Sequence, residues 1–217
     1  MNLGQENREI DFIGGKIQPH WEGDCPLWLS KVLLDQTEYA LSDERYWRRV
    51  FFRGPLAILD YGEKPFQVDN IQKGYNAFLF YGPNMAIKKS ALDKVGGYAP
   101  ERIITQDTEM CLRLIRLGMK GLYVPQVKVF HRVNAARVTP KFYFRWYFKR
   151  GKFLEASDIA PKKFYHPLGI QNAFILRTCR LFFKSITTTL MHDKVYYRSQ
   201  ALFNLAQMGK TIKANII

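Results

Sequence analysis

Up to about residue 138, apolar residues occur both in short runs typical of strands and at the spacing of a helix. Beyond that point only the helical spacing continues. Short β-prone runs at residues 10–17, 77–81 (AFLFY) and 85–88 predict strands. The helical spacing of apolar residues predicts helices at residues 26–36 and 107–117. These segments together predict an α/β sheet with flanking helices.

Shorter elements lie between these segments. Residues 90–95 have the pattern of a helix that begins at Ser90 and ends before Gly96-Gly97. The glycine pair at 14–15 predicts a turn, and Pro125 separates two predicted strands at 122–124 and 127–130. From Pro140 onward the strand signals fade and long aromatic, basic helical stretches follow. We therefore predict one domain at residues 1–138 and an α-helical extension at residues 139–217.

The charge of the chain narrows the choice of partners. The 217 residues carry a formal net charge of +14, with a pI near 9.7. Such an excess favours an anionic partner. No zinc-finger spacing, basic zipper or aromatic ribonucleoprotein motif is present, so no nucleic acid is predicted as a partner. An anionic membrane surface or a ligand that carries a diphosphate fits the charge better.

Targeting signals and cysteine usage indicate a compartment. Cys25, Cys111 and Cys179 are far apart and have no metal-ligand spacing, which predicts free thiols in a reducing environment. The polar N-terminus is not a secretory signal, and no uncharged apolar run approaches the roughly 20 residues of a membrane span. We therefore expect a cytoplasmic protein that is peripheral at the inner face of the cell membrane.

Two carboxylates stand where the predicted helix at 107–117 begins. Asp107 and Glu109 are two positions apart in the segment TQDTE. The free N–H groups and the dipole of a helix N-terminus favour an ionised carboxylate. Spacing alone makes capping the commoner role for such residues, and catalysis is the alternative.

A wider set of motifs changes this weighting. The segments GGKIQPHW, PLWL, YGPNMAIKKSALDKVGGY, QDTEMCLRLIRLG and YVPQVKVFHRV follow one another along the chain. In this order and at these spacings, residues 10–150 resemble the second half of family 2 glycosyltransferases with the GT-A fold. Each segment alone is a weak signal, but the combination is specific. The resemblance implies a partial GT-A, Rossmann-like mixed sheet that binds the acceptor and supplies the catalytic base.

The resemblance also implies a reaction. The family helix usually begins with Glu-Asp where this chain has Gln106-Asp107, and the base corresponds to Asp107. An aspartate within hydrogen-bond reach can take the proton of an acceptor hydroxyl as it attacks the anomeric carbon. A single displacement of this kind inverts the configuration. The expected reaction transfers a hexose from a nucleotide-sugar, UDP-sugar being the main candidate, to a glycan or lipid-linked acceptor in surface polysaccharide biosynthesis.

Five further positions carry implied roles in substrate binding. Trp21 corresponds to the floor of the sugar site, where its ring would stack on a pyranose; a core tryptophan is the alternative. Gly82, Asn84 and Met85 correspond to the strand and loop that contact the donor sugar or the acceptor; a simple bulge is the alternative. Glu109 would orient a basic residue or bind the acceptor; a solvated or helix-capping glutamate is the alternative.

Three later positions resemble the family less closely. His131 corresponds to a late histidine that some GT-A enzymes use as a metal ligand, although a lone histidine is more often structural. Arg145-Trp146 resembles the end of the Gln-x-x-Arg-Trp motif of processive members, with Phe142 at the Gln position. Arg145 could pair with a phosphate, and an interfacial helix is the alternative.

The complete enzymes contain one motif that this sequence does not. They hold Mg²⁺ or Mn²⁺ on the diphosphate with an Asp-x-Asp, and no Asp-x-Asp occurs among these 217 residues. We therefore expect that this chain alone does not turn over a nucleotide-sugar. The alternative function is a non-catalytic glycosyltransferase remnant that acts as a glycan- or membrane-binding module. Reading the upstream DNA in frame for a donor-binding half separates the two.

The segment 168–217 predicts a membrane-surface helix. A cationic stripe lies opposite a broad apolar arc, a pattern typical of helices in a lipid headgroup layer. A helix packed against the catalytic half is the alternative. The stripe consists of Arg177, Arg180 and Lys184, and the arc of Phe174, Ile175, Leu181, Phe182 and Ile186.

Overall fold

Four strands form one mixed sheet in the structure, a computed structural model that describes residues 9–33, 44–68, 79–99, 105–153 and 169–214. In chain order the strands are β1 (Phe12–Trp21), β2 (Phe66–Val68), β3 (Met85–Ile87) and β4 (Gly121–Val133). Their order across the sheet is β2-β4-β1-β3. Strand β3 is antiparallel to β1, and β2 is antiparallel to β4.

The two central strands run in the same direction. The Asp11 N–H donates to the Lys120 carbonyl at the start of the pair (2.8 Å). At the other end of the pair, the Glu22 N–H donates to the Val133 carbonyl (3.0 Å). Residue numbers therefore increase together along β1 and β4, as in a parallel pair.

Seven α-helices accompany the sheet in the described part of the chain. They are α1 (Leu27–Leu33), α2 (Glu44–Arg53), α3 (Lys89–Lys94), α4 (Gln106–Arg116), α5 (Pro140–Phe153), α6 (Gly169–Thr187) and α7 (Met191–Ala214). The mixed sheet, the flanking helices and the helical C-terminal region confirm the predicted fold class.

The chain divides into two units, each built from two stretches of sequence. The first comprises Met1–His20 and Ala57–His131, and the second comprises Trp21–Leu56 and Arg132–Ile217. The first unit holds most of the sheet with α3 and α4, and the second holds α1, α2 and α5–α7. The domain boundary predicted at residue 138 falls inside the second unit.

The glycine pair of β1 does not form the predicted turn. Gly14 and Gly15 lie inside the continuous strand, and close neighbours explain why neither has a side chain. A Cβ on Gly14 would lie 2.1 Å from the ring of Phe80, and one on Gly15 would lie 2.0 Å from the Val127 carbonyl oxygen. The pair therefore serves close packing across the sheet rather than a change of chain direction.

Three other predicted elements need correction. The two strands around Pro125 are the single strand β4; its pairing with β2 ends at Tyr123, so the missing N–H of Pro125 costs no bond to β2. Residues 79–81 are not a strand, and residues 77–78 lie outside the described residues. Helix α3 begins at Lys89, so Lys88 rather than Ser90 occupies its N-cap position, and Lys88 forms no side-chain capping bond.

The core of the first unit forms where α4 packs on the sheet. Buried side chains recur along α4 at helical spacing, among them Met110, Cys111 and Leu114. They belong to one apolar cluster with residues of the strands and of the segment before β3. Within it the rings of Phe12 and Phe80 meet edge to face, with centroids 5.7 Å apart.

The core of the second unit is aromatic. Trp28 of α1 meets Phe52 and Tyr143 edge to face, at centroid distances of 6.2 and 5.8 Å. The hydroxyls of Tyr143 and Tyr147 on α5 donate to the carbonyls of Phe52 and Phe51 (2.9 and 2.8 Å). These carbonyls lie in the last turn of α2, where no helical partner remains, so the two tyrosines cap that helix end.

Helix α7 completes this core. Val195 and Ala201 are fully buried. On α5, a Cβ at Gly151 would lie 2.5 Å from the Phe203 carbonyl oxygen and 2.9 Å from the Ala206 Cβ. Only a glycine at this position lets the two helix backbones approach so closely. Helix α7 is therefore an integral part of the second unit.

We expect the free energy of unfolding to fall as the pH rises above about 9. Burial raises the pKa of the Cys111 thiol from its ordinary value of 9.0 to about 12 and the pKa of the Tyr123 phenol from 10.0 to about 12. At pH values between the ordinary and the raised pKa of each group, that group is protonated in the folded chain and ionised in the unfolded one. Each group therefore lowers the free energy of unfolding by up to about 1.4 kcal/mol per pH unit. Urea unfolding at successive pH values measures this.

Cys111→Ala should remove a large part of the pH dependence between about 9 and 10, before the tyrosine contributes; the Cys25 thiol, whose pKa burial also raises, accounts for part of the remainder. Cys179→Ala is the matched control, because Cys179 is exposed. The assignment to Cys111 is wrong if both variants keep the wild-type pH dependence.

Candidate functional site

Two backbone N–H groups orient the Asp107 carboxylate. Oδ2 accepts a hydrogen bond from Gly82 (3.0 Å), and Oδ1 accepts one from Thr108 in the first turn of α4 (2.8 Å). Gly82 begins a three-residue 3-10 helix, Gly82–Asn84, that leads into β3. Asp107 is half-buried. Each oxygen keeps a second lone pair, which can accept a proton from a ligand.

A rare backbone conformation precedes this carboxylate. Thr105, the residue before α4, lies in the left-handed region with φ 62° and ψ 16°. Such values are unusual for a β-branched residue and cost roughly 1–3 kcal/mol. Strain of this kind persists where the surrounding structure imposes it, and it is frequent beside functional groups. The left-handed conformation of Thr105 therefore makes the start of α4 a candidate functional position.

Asn84 links the two central strands. Its side chain is buried, and Nδ2 donates to the carbonyls of Lys16 on β1 (2.8 Å) and Val127 on β4 (2.9 Å). Gly15 leaves the space that this amide fills, since a Cβ there would lie 2.9 Å from Nδ2. Both N–H groups of the amide are thus used inside the protein, and contact of Asn84 with a substrate stays a prediction.

Met85 lies next in the chain and packs inward. Its Sδ is 3.4 Å from Sγ of Cys111 on α4. The Cys111 thiol also lies 3.6 Å from the Phe80 carbonyl oxygen. Met85 is half-buried against this core. Its contact with a substrate stays a prediction.

Glu109 supports the loop that follows α3. Its carboxylate pairs with the Arg113 guanidinium, with Nε and Oε1 2.6 Å apart. The same guanidinium donates to the carbonyls of Val95 and Gly97, the latter at 2.7 Å. Of the two roles considered for Glu109, this geometry matches the orientation of a basic residue. Acceptor binding by Glu109 stays a prediction.

Tyr98 is a site residue to which the motifs assigned no role. It follows the loop held by Arg113 and is 44% exposed. Burial, the Cys111 thiol and the Asp107 carboxylate raise the pKa of its phenol. The Asp107 carboxylate is thus one of the groups that hold the pKa of Tyr98 above its ordinary value. The tyrosine of the GGY segment was the sequence signal for this neighbour.

His131 is half-buried on β4. Among residues 9–33, 44–68, 79–99, 105–153 and 169–214, no group of three or more His, Cys, Asp or Glu side chains could hold a metal ion. The described residues therefore do not supply His131 with the partners that a metal ligand needs. Its role as a ligand stays a prediction.

The remaining predicted residues belong to the second unit. Trp21 is half-buried at the end of β1. On α5, Arg145 is exposed, and the Trp146 ring is covered by the Arg150 guanidinium at 5.2 Å from its centroid. Asp107 belongs to the first unit, and the role of Trp21 in binding a sugar stays a prediction.

One stretch of the chain matches a known protein family. The family model described as "Glycosyl transferase family group 2" matches residues 64–150. No curated protein and no solved structure matches the chain. The matched stretch contains every predicted site residue except Trp21.

We expect Asn84→Ala to lower the free energy of unfolding by about 1–3 kcal/mol, because it leaves two strand carbonyls without their donor. Urea unfolding measures the change. Asn134→Ala is the matched control: Asn134 accepts a hydrogen bond from the Arg137 N–H at the start of an exposed 3-10 turn (3.2 Å), so its loss should cost at most about 1 kcal/mol. Equal losses would contradict a bridging role for Asn84.

Proposed function

We propose that the chain supplies the acceptor side and the catalytic base of an inverting sugar transfer, because residues 64–150 match the family 2 glycosyltransferase model. The family implies a nucleotide-sugar donor and an acceptor in general. The finer proposal is a hexose carried by UDP and a glycan or lipid-linked acceptor, in the synthesis of a surface polysaccharide.

The orientation of Asp107 is the observation that carries this proposal. Its carboxylate is held by one N–H from the helix it begins and one from Gly82, and it remains partly accessible. A carboxylate fixed in this way can accept the proton of an acceptor hydroxyl without reorganising.

The proposed step is a single displacement. The acceptor oxygen forms a bond to the anomeric carbon as its proton passes to Asp107. The bond from that carbon to the diphosphate breaks, and the nucleoside diphosphate leaves with the electron pair. Attack from the face opposite the leaving group inverts the configuration.

Tyr98 is proposed to position the acceptor. A tyrosine phenol is neutral at neutral pH and can both donate and accept a hydrogen bond; burial raises the pKa of Tyr98 further above that range. Exposure and nearness to Asp107 suit it to a sugar hydroxyl beside the one that reacts. The Glu109–Arg113 pair supports the loop that carries this tyrosine.

The resemblance also implies Mg²⁺ or Mn²⁺ on the donor diphosphate, where it would stabilise the leaving group. The described residues offer no ligand group for such an ion, and the sequence contains no Asp-x-Asp. The proposed role of this chain therefore contains no step through a metal ion.

The proposed location is the cytoplasmic face of the cell membrane, where lipid-linked acceptors would be within reach. Among the helices that the structure describes, none combines the length and apolarity needed to cross a bilayer. The net charge of +14 supports attraction to anionic lipid.

We expect Asp107→Asn to lower the transfer rate by roughly 10²–10⁴-fold, because the amide cannot take up the proton. The assay follows labelled sugar transfer by the chain combined with a donor-binding glycosyltransferase half, and nuclear magnetic resonance of the anomeric proton reports inversion. Residues 1–217 alone are expected to show no turnover.

Asp93→Asn is the matched control: Asp93 forms an exposed ion pair with Lys89 on the surface of α3, so its replacement should change the rate less than twofold. An Asp107→Asn rate within threefold of wild type would contradict the base assignment. Retained glycan binding with no transfer by either protein would favour the non-catalytic module.

We expect Tyr98→Phe to raise the KM for the acceptor by about three- to tenfold, the value of one hydrogen bond, and to leave the KM for the donor unchanged. Initial rates with each substrate varied in turn measure this. An unchanged acceptor KM, or a rise in the donor KM, would remove Tyr98 from the acceptor site.

A further inference from the structure

Helix α6 has three distinct faces. One face packs within the second unit and contains the buried side chains of Thr178, Leu181 and Ser185, which are three to four residues apart. The next turn of the chain leads into α7, which lies alongside α6. The other two faces of α6 are exposed.

The second face is apolar and open to solvent. Leu176, Phe183 and Ile186 are 69%, 67% and 71% exposed, and exposed Ile175 and Cys179 lie between them around the helix. We call these five residues the apolar stripe. Their spacing of three, four and seven residues places them on one side of the helix.

This stripe differs from the apolar arc that the sequence predicted. Leu181 is buried and Phe182 is half-buried, because both turn toward the second unit. Ile175 and Ile186 are exposed, and the side chain of Phe174 lies outside the described residues. The exposed apolar face is therefore rotated from the predicted one.

The third face is cationic. Arg177, Arg180 and Lys184 are all exposed. At 100° per residue, they occupy the surface between the apolar stripe and the buried face. Lys184 also lies over the Tyr197 ring of α7, 5.2 Å from its centroid.

The apolar stripe continues into a shallow groove of the same unit. The groove has a volume of about 330 Å³, and Ile186 lies on its wall together with Phe144 and Met191. Lys194 and Arg198 also line it. Apolar surface edged by cations therefore extends from α6 across the start of α7.

We propose that α6 lies in the headgroup layer of an anionic phospholipid bilayer, with the apolar stripe inserted and Arg177, Arg180 and Lys184 on lipid phosphates. Charge selects this occupant: cations border the stripe, and the whole chain carries +14. A second copy of the chain would bring like charges together, whereas an anionic bilayer neutralises them.

This inference gives the proposed peripheral location a defined surface. It does not depend on the transfer chemistry, because vesicle binding is measured without a nucleotide-sugar. Failure of vesicle binding and failure of the Asp107 assay are therefore separate results.

The first experiment is co-sedimentation of the full chain with vesicles of phosphatidylglycerol and phosphatidylcholine, and with phosphatidylcholine alone. We expect binding to the anionic vesicles that weakens as salt rises. Phe183→Ser should weaken it about five- to tenfold, because a large apolar side chain is lost from the stripe. Phe130→Ser is the matched control: Phe130 is 66% exposed but lies on β4, so binding should be unchanged.

Charge is tested in the same way. Replacing Arg177, Arg180 and Lys184 by Gln should weaken binding about a hundredfold, at about fivefold for each cation. Replacing exposed Lys64, Lys89 and Lys94 by Gln removes the same net charge from the first unit. That triple variant should retain most of the binding. Deletion of residues 168–217 is no substitute, because it removes α7 from the core.

Cys179 gives a test on the unmodified protein. It lies in the apolar stripe, so anionic vesicles should slow its alkylation by a charged maleimide at least fivefold, and neutral vesicles should not. Cys25 is the internal control; it is half-buried in the same unit, and its rate should not change. Mass spectrometry reports each cysteine separately.

Three results would overturn the proposal. One is equal vesicle binding by wild type and Phe183→Ser, and another is binding indifferent to lipid charge. The third is protection of Cys179 that rises with protein concentration without vesicles, together with a dimer in light scattering that Phe183→Ser abolishes. Vesicle-dependent protection combined with the selective loss in Phe183→Ser supports it.

Discussion

The amide of Asn84 joins the two central strands, and the geometry of the candidate site depends on this contact. Nδ2 reaches a carbonyl on β1 and another on β4 through space that Gly15 leaves free. The same short helical turn that ends at Asn84 begins at Gly82, whose N–H holds the Asp107 carboxylate. The bridge between the central strands and the N–H that holds the Asp107 carboxylate thus belong to one short turn of the chain.

Sequence patterns predict an element best where the spacing of apolar residues within that element is enough to define it. Helix α4 was predicted within one residue at each end, because its apolar spacing and Gly118 define it without outside help. Gly14-Gly15 was misjudged because a missing side chain can permit either a turn or a close neighbour. The neighbour, Phe80, comes from a distant part of the sequence, so no local rule could identify it. Pro125 was misjudged for a similar reason, since only the register with β2 shows that its N–H is not needed.

The candidate site was predictable as a position but not as a set of contacts. The motif order located Asp107, and a helix N-terminus explains why a carboxylate is stable there. The partners of Asn84 lie 68 and 43 residues away in the sequence, and the loop that precedes Tyr98 is held by Arg113 of the following helix. In α6, the helical spacing was right, but the buried face could be assigned only once the packing of α7 was known.

The second unit joins segments that are made far apart in time. Arg48 of α2 pairs with Asp193 of α7 and lies over the Tyr196 ring at 4.8 Å from its centroid. A ribosome adds roughly 5–20 residues per second, so α2 leaves it many seconds before α7 is made. Until α7 is made, the aromatic residues of α2 lack their contacts with Tyr196 and remain exposed, so they can bind chaperones or pack incorrectly. The order of synthesis therefore makes the completion of this unit a late, non-local step, which slows folding relative to a unit of neighbouring segments.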